Sequence, residues 1–289
     1  MKILALDLGG TMIKAAIVDE SGTVSGYREL PSNGKQGGEA LLRTAFALAD
    51  EYNGFDRIGI STAGQVDISI GSIRYANENI PNYIGTPVAR LFSNRYHCNT
   101  VVENDVNAAA LGEAKFGGGR GCPHFICITY GTGIGGGIVI NGELFHGADG
   151  VAGELGHIVT HPGGLRCGCG QSGCYEQYAS TTALVRAATQ RNPAITNGRQ
   201  LFEQLDTMSD LVDVWVGEIA LGLVSLIHIF NPHAVVLGGG IMEQPYIGEQ
   251  LNRVLYPLLM ESYRGVRIKT AELGNKAGLI GAAYLAALE

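Results

Sequence analysis

Two segments of this sequence share one order of elements: strand, Gly/Thr turn, strand, turn, strand. The first, LDLGGTMIKAAIVDESGTV, begins at Leu6, and the second, ITYGTGIGGGIVINGEL, begins at Ile128. Apolar runs on both sides of small-residue turns predict antiparallel strands, and their repetition predicts an internal duplication. We therefore expect an α/β chain built from two related halves.

The remaining hydrophobic patterns predict helices alternating with short buried strands. At the start of the chain, strands are expected over 2–8, 12–19 and 23–30. Further strands are expected over 57–61, 100–103, 234–237 and 266–270, and helices over 38–52, 87–96, 106–116, 175–191, 211–230, 250–262 and 277–288. We expect an N-terminal α/β domain over 1–110, completed by the C-terminal helix 277–289, and a second α/β domain over 111–276. The boundary is expected within the helix near 106–116.

Composition narrows the class of protein. The net charge of −7 and the lack of any Lys/Arg run argue against a nucleic-acid surface. The sequence has no run of 18 apolar residues that would predict a membrane span, and its N-terminus lacks the pattern of a signal peptide. We therefore expect a cytoplasmic protein that binds neither nucleic acid nor membrane. Glycine is the outlier, with 43 residues clustered largely at strand ends, where phosphate-binding turns need it.

The first glycine cluster follows the first strand. Gly9, Gly10 and Thr11 offer backbone N–H groups and a hydroxyl to an anion without Cβ obstruction. Asp7 is placed to hold a Mg²⁺-bound water, and Lys14 follows closely. An ordinary Gly-Gly hairpin turn is the alternative interpretation.

The second cluster has five glycines within Gly131–Gly137, including Gly131 and Gly133 on either side of Thr132. A dinucleotide-binding fingerprint requires a helix after the glycines, whereas 138–142 reads as a strand and a hairpin. We therefore predict a second phosphate turn. Two such turns, one from each half, are suited to a triphosphate.

A candidate general base stands between a strand and a helix, at Asp105. Phosphoryl transfer to a hydroxyl needs a group that accepts the hydroxyl proton, and Asn104 could hold another hydroxyl of a polyol. The alternative is that Asn104 or Asp105 only caps the helix.

Four candidate metal ligands lie in one short stretch: His157, Cys167, Cys169 and Cys174. One imidazole and three thiolates make a common ligand set for a structural, tetrahedral Zn²⁺. His161 is the competing imidazole. The flanking carboxylates Glu154 and Glu176 are either solvated charges or acceptors for sugar hydroxyls.

These motifs, in this order, resemble the ROK family of bacterial sugar kinases and related repressors. The resemblance rests on Asp7–Thr11, Glu103–Asp105, Gly131–Gly137, Glu154–His157 and the cysteine-rich stretch Cys167–Glu176, and it covers nearly the whole chain. It implies a two-lobed, ribonuclease-H-like actin/hexokinase ATPase fold, Mg-ATP as phosphoryl donor, a structural Zn²⁺ and a homodimer.

The resemblance also implies roles for individual residues. Asp105 would be the catalytic base. Sugar hydroxyls would contact Gly64, Asn79, Asn104, Asp105, Glu154, His157 and Glu176. ATP would contact Asp7, Gly9, Gly10, Thr11, Lys14, Gly131, Thr132, Gly133, Gly238, Gly239 and Gly240. Zn²⁺ would bind His157, Cys167, Cys169 and Cys174.

The sequence departs from the family pattern at positions expected on the sugar side. Many members have Pro-Gly where this chain has Ala63-Gly64, and Gly-Trp where it has Asn82-Tyr83. We expect phosphorylation of a hexose or N-acetylhexosamine at a primary hydroxyl, O6, with N-acetylmannosamine or glucose as the leading candidates. The alternatives are a sugar-sensing repressor, disfavoured because no room precedes the first strand for a DNA-binding motif, and a noncatalytic zinc-stabilised binding module.

Overall fold

A computed structural model describes all residues from Met1 to Glu289. The chain divides into two compact units. The first unit comprises Met1–Gly121, Gly137–Ala152 and Asn275–Glu289, and the second comprises Cys122–Gly136 and Gly153–Gly274. The helix Asp105–Phe116 lies wholly in the first unit, so this division does not follow the boundary expected near 106–116. This helix belongs to the first unit because it packs closely on the C-terminal segment of that unit: Gly281 lies against the Ala108 carbonyl, where a Cβ would have no room.

The strands, numbered along the chain, are short and mostly buried. They are β1 (Lys2–Leu8), β2 (Met12–Asp19), β3 (Val24–Pro31), β4 (Arg57–Thr62), β5 (Gln65–Asp67), β6 (Ser72–Tyr75), β7 (Thr100–Asn104), β8 (Phe125–Tyr130), β9 (Ile134–Ile140), β10 (Glu143–Leu144), β11 (Ala234–Gly238) and β12 (Arg267–Thr270).

The helices are α1 (Gly38–Ala49), α2 (Val88–Tyr96), α3 (Asp105–Phe116), α4 (Glu176–Ala179), α5 (Thr181–Arg191), α6 (Gly198–Phe202), α7 (Leu205–Phe230), α8 (Pro245–Leu258) and α9 (Ala277–Leu288). Single 3₁₀ turns occupy Gly34–Gln36, Leu155–His157, Gly240–Glu243, Glu261–Tyr263 and Gly274–Lys276.

The two five-stranded sheets have the same order of strands. The first runs β3-β2-β1-β4-β7, and the second runs β10-β9-β8-β11-β12. In the first, β1, β2 and β3 pair antiparallel, and β4 and β7 continue parallel to β1. In the second, β9 and β10 pair antiparallel, and β11 and β12 continue parallel to β8. The predicted duplication and the predicted α/β fold class are therefore confirmed.

Both faces of the first sheet are covered. On one face, Leu4 and Leu6 of β1 pack in a cluster with Leu41 and Leu48 of α1. On the other face, the alternate β1 residues pack against α9, where Leu279 belongs to the cluster. A strand buried on both faces reads as a nearly continuous apolar run, as Lys2–Leu8 does between Ile3 and Leu8, where Asp7 is the one charged residue.

Helix α7 is the longest element of the second unit. It is long and apolar enough to cross a membrane by length and composition, but half of its apolar window is buried within the structure. A core helix of a globular unit meets the same criteria. The helix ends at Phe230, and the following residue, Asn231, adopts a left-handed conformation (φ 42°) before Pro232.

Several predicted elements differ from the observed ones. The helix expected over 175–191 is broken at Ser180, whose hydroxyl accepts the Ala183 N–H and caps α5. Helix α8 runs Pro245–Leu258 instead of 250–262, since Pro245 occupies its first turn, where proline is favoured. The glycine turn expected through Gly137 is shorter, because β9 already begins at Ile134.

Candidate active site and metal centre

An ion pair lies at the end of β1. In the β1–β2 register Asp7 lies opposite Lys14, and the Lys14 Nζ lies 2.9 Å from the Asp7 Oδ2. The Ser61 hydroxyl donates to the other carboxylate oxygen at 3.0 Å. Each oxygen retains a lone pair, so Asp7 still fits the expected role of accepting a Mg²⁺-bound water.

The Gly9–Thr11 turn is a closed hairpin. The Gly9 N–H donates to the Met12 carbonyl at 3.0 Å, so this N–H is already used inside the turn. A Cβ on Gly9 would lie 2.9 Å from the same oxygen, so glycine is needed here for the turn itself. Thr11 is exposed at the tip.

The junction of β7 and α3 joins Gly64, Asn104 and Asp105. The Asn104 carboxamide caps α3, because its Oδ1 accepts the N–H groups of Val106 and Asn107. Its Nδ2 donates to the Gly64 carbonyl at 2.9 Å and to Asp105 Oδ1 at 3.0 Å. Asn104 is therefore the cap, and Asp105, the first residue of the helix, is held in a fixed orientation.

The environment of Asp105 favours its neutral form. Burial, followed by the nearby charge of Asp7, raises the pKa of Asp105 to about 7, although hydrogen bonds from Val106 and Asn104 act in the opposite direction. A carboxyl group that titrates near neutral pH can accept a proton during turnover and release it afterwards.

A buried carboxylate beside this junction was not assigned a role of its own from the sequence. Glu103 is 2% exposed; its Oε1 accepts the Asn104 N–H and the Asn107 side-chain N–H. Its Oε2 lies 2.8 Å from His146 Nε2, and this hydrogen bond raises the pKa of His146. The signal that could have found it is a charged residue inside an otherwise apolar strand.

Asn79 lies on an exposed loop that packs against the first glycine turn. A Cβ on Gly10 would lie 3.5 Å from the Asn79 Cβ. The loop also forms an open groove of about 470 Å³, lined by Ala76, Asn77, Glu78, Ile80, Pro81, Asn82 and Ile84. Tyr83, by contrast, is fully buried, with its hydroxyl 3.0 Å from that of Thr62. Of the Asn82-Tyr83 pair, only Asn82 therefore reaches this surface.

In the second unit, the turn Gly131–Gly133 is closed by a bond from the Gly131 N–H to the Gly133 carbonyl. Gly131 and Thr132 are exposed. Gly133 lies against Glu176, whose Oε2 would be 2.5 Å from an added Cβ. The same oxygen lies 3.4 Å from the Ile134 N–H, so Glu176 and this turn lie side by side.

The second turn and the Gly238–Gly240 segment meet at Tyr130. Gly239 has a positive φ of 102°, and a Cβ there would clash with the Tyr130 carbonyl. Gly239 and Gly240 are exposed, whereas Gly238 is buried at the end of β11. The structure therefore brings together the predicted ATP-contacting glycines of this unit.

The four predicted zinc ligands form one cluster. The ligand atoms of His157, Cys167, Cys169 and Cys174 lie within 4.8 Å of one another. Two separations are typical of a tetrahedral site: Cys169 Sγ to Cys174 Sγ is 3.5 Å, and Cys167 Sγ to His157 Nδ1 is 3.7 Å. Ligands about 2.3 Å (sulfur) and 2.0 Å (nitrogen) from a tetrahedral Zn²⁺ lie roughly 3.5–3.8 Å apart. The cluster therefore fits Zn²⁺.

His157 presents its two nitrogens to different partners. Nδ1 faces the cysteines, whereas Nε2 lies 3.8 Å from Glu154, which is half-exposed. Glu176 Oε1 lies 3.1 Å from Cys167 Sγ, so both flanking carboxylates lie beside the metal cluster.

The alternative ligand, His161, lies outside the cluster. Its ring stacks on Tyr178 with centroids 3.9 Å apart, and its Nε2 lies 3.5 Å from Glu218. The second imidazole therefore belongs to the packing of this segment against α7.

The sequence pattern of the ROK family matches residues 3–289, and this chain belongs to that family. It is 38% identical to a glucokinase of Streptomyces coelicolor, over 98% of this chain and 96% of that protein. It is 31% identical to an N-acetyl-D-glucosamine kinase of Haemophilus influenzae, over 97% of both. The crystal structure of a ROK glucokinase from Streptomyces griseus, in complex with glucose and AMPPNP, superposes with a TM-score of 0.89 at 35% identity, covering both chains fully. The resemblance seen in the motifs is thus confirmed.

Proposed function

We propose that this protein is an ATP-dependent sugar kinase that transfers the γ-phosphoryl group to the primary hydroxyl, O6, of a hexose. Asp105 carries this proposal. It is a carboxyl group with a pKa of about 7, held by Asn104 at the end of a strand, in a member of a family whose relatives include glucokinases.

In the proposed reaction, the Asp105 carboxylate accepts the proton of the sugar hydroxyl. The oxygen forms a bond to the γ-phosphorus as the bond from that phosphorus to the β-γ bridging oxygen breaks, which yields the sugar phosphate and ADP. Mg²⁺, when bound, neutralises charge on the β- and γ-phosphates. Asp7 would hold it through water, and Lys14 keeps the Asp7 carboxylate oriented.

The remaining predicted roles are proposed unit by unit. In the first unit, sugar hydroxyls contact Gly64, Asn79 and Asn104, and phosphates contact the Gly9–Thr11 turn. In the second unit, sugar hydroxyls contact Glu154, His157 and Glu176, and ATP contacts Gly131–Gly133 and Gly238–Gly240. Asn104 already uses both of its N–H donors, so a hydroxyl must share or replace one of those bonds.

We propose a structural role for Zn²⁺ at His157, Cys167, Cys169 and Cys174. All four ligands come from the protein, which leaves no open position for a reacting water. The ion would fix Glu154 and Glu176 at the two ends of the segment, since each lies beside a ligand.

Glucose is the proposed substrate, and N-acetylhexosamines are the alternative candidates. The test is ADP release from Mg-ATP with a panel of glucose, N-acetylmannosamine, N-acetylglucosamine, fructose and a β-glucoside, using zinc-loaded protein and Asp105→Asn as the matched control. High kcat/KM with one sugar, lost in the variant, would support the proposal. No turnover with any sugar, combined with measurable sugar binding, would favour a sugar-sensing protein instead.

We further propose a cytoplasmic homodimer that binds neither nucleic acid nor membrane. Exposed apolar side chains of α7 support self-association: Val214 is 70% exposed, Leu221 46% and Ile229 71%. Light scattering should give twice the chain mass, and Leu221→Glu should lower it. A wild-type monomer at micromolar concentration would contradict this proposal, and recovery in the membrane fraction would contradict the proposed location.

A further inference from the structure

Two buried tyrosine hydroxyls form a chain of hydrogen bonds in the second unit. The hydroxyls of Tyr130 and Tyr175 lie 2.8 Å apart, and both residues are fully buried. The Tyr175 hydroxyl donates to the carbonyl of Ile219 in α7 at 2.8 Å. Because this bond uses the only hydroxyl proton of Tyr175, Tyr130 must be the donor to Tyr175. The chain therefore runs in one direction, from β8 through Tyr175 to α7.

Both tyrosines adjoin parts of the proposed site. Tyr130 is the residue directly before the turn Gly131–Gly133, and Tyr175 stands between Cys174 and Glu176. The Tyr175 ring packs so closely on Gly222 of α7 that a Cβ there would clash. Tyr175 is thus fixed on the core helix from both its ring and its hydroxyl.

The backbone of Tyr130 is also held from other elements. Its carbonyl accepts the Thr181 hydroxyl at 2.9 Å, and Gly239 lies against the same carbonyl. Tyr130, the residue before the turn, is therefore held by the hydrogen bond of its hydroxyl and by contacts to its backbone, whereas Gly131 and Thr132 remain exposed.

We propose that Tyr130 and Tyr175 are positioning residues for nucleotide binding, which set the Gly131–Gly133 turn against helix α7 and the cysteine-rich segment. This inference rests on the proposed function, because it assigns that turn to ATP. A buried hydroxyl needs a partner, since an unpaired one costs free energy, so the pair has one favoured arrangement. The turn is then held ready for the phosphates and is not ordered only upon binding, which lowers the entropic cost of binding.

The test uses Tyr130→Phe, Tyr175→Phe, the double variant and Tyr256→Phe as a matched control. Tyr256 also donates its hydroxyl to a backbone carbonyl, that of Val266 at 2.8 Å, away from the turn. Tyr130→Phe keeps the aromatic ring and leaves the Tyr175 hydroxyl bonded to Ile219, so it removes only the hydrogen bond between Tyr130 and Tyr175. We expect the KM for ATP and the Kd for Mg-ADP, measured by calorimetry, to rise about tenfold, the equivalent of one hydrogen bond. The KM for the sugar should stay within about twofold of wild type.

Tyr175→Phe should raise both KM values, because it also frees the residue next to Glu176. In the double variant the effect on ATP should not exceed that of Tyr175→Phe, since two groups acting as a unit are not additive. Zinc content should equal that of the wild type in every variant, and the control should bind Mg-ADP normally.

A Tyr130→Phe protein that binds Mg-ADP as tightly as the wild type would overturn the inference. Equal rises in both KM values for that variant, together with a lowered Tm, would also overturn it, because they indicate general loosening. If the wild type neither binds Mg-ADP nor turns over ATP, the proposed function itself fails, which is a separate outcome.

Discussion

Replacing Asp105 by asparagine should lower kcat strongly and at the same time stabilise the protein above neutral pH. The pKa of Asp105 is about 7 in the folded protein, against about 3.9 for an unperturbed aspartate. The folded state therefore binds more protons than the unfolded state between these values, and stability falls as pH rises through that window. Asparagine removes this cost and can still accept from Val106 and Asn104, as Asp105 does.

The magnitude follows from the difference in pKa. About three pKa units at 1.36 kcal/mol each give an upper limit of about 4 kcal/mol above pH 7. Asp105 is partly exposed, and solvent screening reduces such values, so we expect the variant to gain about 1–2 kcal/mol. Its kcat should fall by about 10²–10⁴, the usual contribution of a general base.

Urea unfolding of both proteins at pH 4.5 and pH 8 provides the measurement. The advantage of the variant should be small at pH 4.5 and largest at pH 8. Asp210→Asn is the control, because its partner Arg191 lowers the pKa of Asp210 and removal of that charge should bring no gain at pH 8. An advantage for Asp105→Asn that does not change with pH would refute the raised pKa, and wild-type kcat would refute the role as base.

Three further predictions concern other parts of the chain. Cys169→Ser should lose zinc, measured by mass spectrometry, and raise the KM for the sugar several-fold, since Glu154 and Glu176 flank the cluster; full zinc occupancy would contradict the ligand set. Gly239→Ala should lower the free energy of unfolding by more than about 1 kcal/mol, because Gly239 has a positive φ and lies against the Tyr130 carbonyl. Gly217→Ala in α7, where an added Cβ meets open space, should raise the free energy of unfolding by up to about 1 kcal/mol. The reverse order of stability in denaturant unfolding would refute this reasoning. His146→Ala should lower the free energy of unfolding by about 1–3 kcal/mol, because it leaves buried Glu103 without one partner. The loss should be larger at pH 6 than at pH 9, because the stabilisation from a raised histidine pKa disappears as pH rises through that pKa. A loss of stability that does not change with pH would mean that His146 is neutral.

Strand bounds in the first unit could be read almost entirely from the sequence. The bounds of β1 and β2 agree with the prediction, because Gly9-Gly10 and the Asp19–Gly22 turn interrupt apolar runs sharply. Helix starts were harder to place. Helix α7 begins at Leu205 and not near 211, since its first turns carry the polar residues Asp206, Thr207 and Asp210, which hide the helical period.

The candidate site was predictable where motifs are local. The metal cluster lies within one short segment, so spacing alone brought its four ligands together. Which of Asn104 and Asp105 caps the helix was decided by hydrogen bonds that no spacing reveals: Asn104 is the cap, and its side chain donates to Asp105.

Contacts between distant parts of the chain could not be predicted. Glu103 and His146 are 43 residues apart, and Tyr130 and Tyr175 are 45 apart. Each pairing depends on how separate elements pack, and the sequence shows only a charge in an apolar strand or a tyrosine beside a motif. Gly133 was assigned to a phosphate turn and Gly239 to an ATP contact, and close packing against Glu176 and Tyr130 is a second reason for these two glycines.

The central claim is that the chain phosphorylates a sugar hydroxyl with Asp105 as base, and the product tests it most directly. Zinc-loaded wild type and Asp105→Asn would be incubated with Mg-ATP and glucose, and the products analysed by phosphorus and proton NMR. We expect stoichiometric glucose 6-phosphate and ADP from the wild type and almost none from the variant. ADP without any sugar phosphate across the whole sugar panel, or equal product from both proteins, would contradict the account.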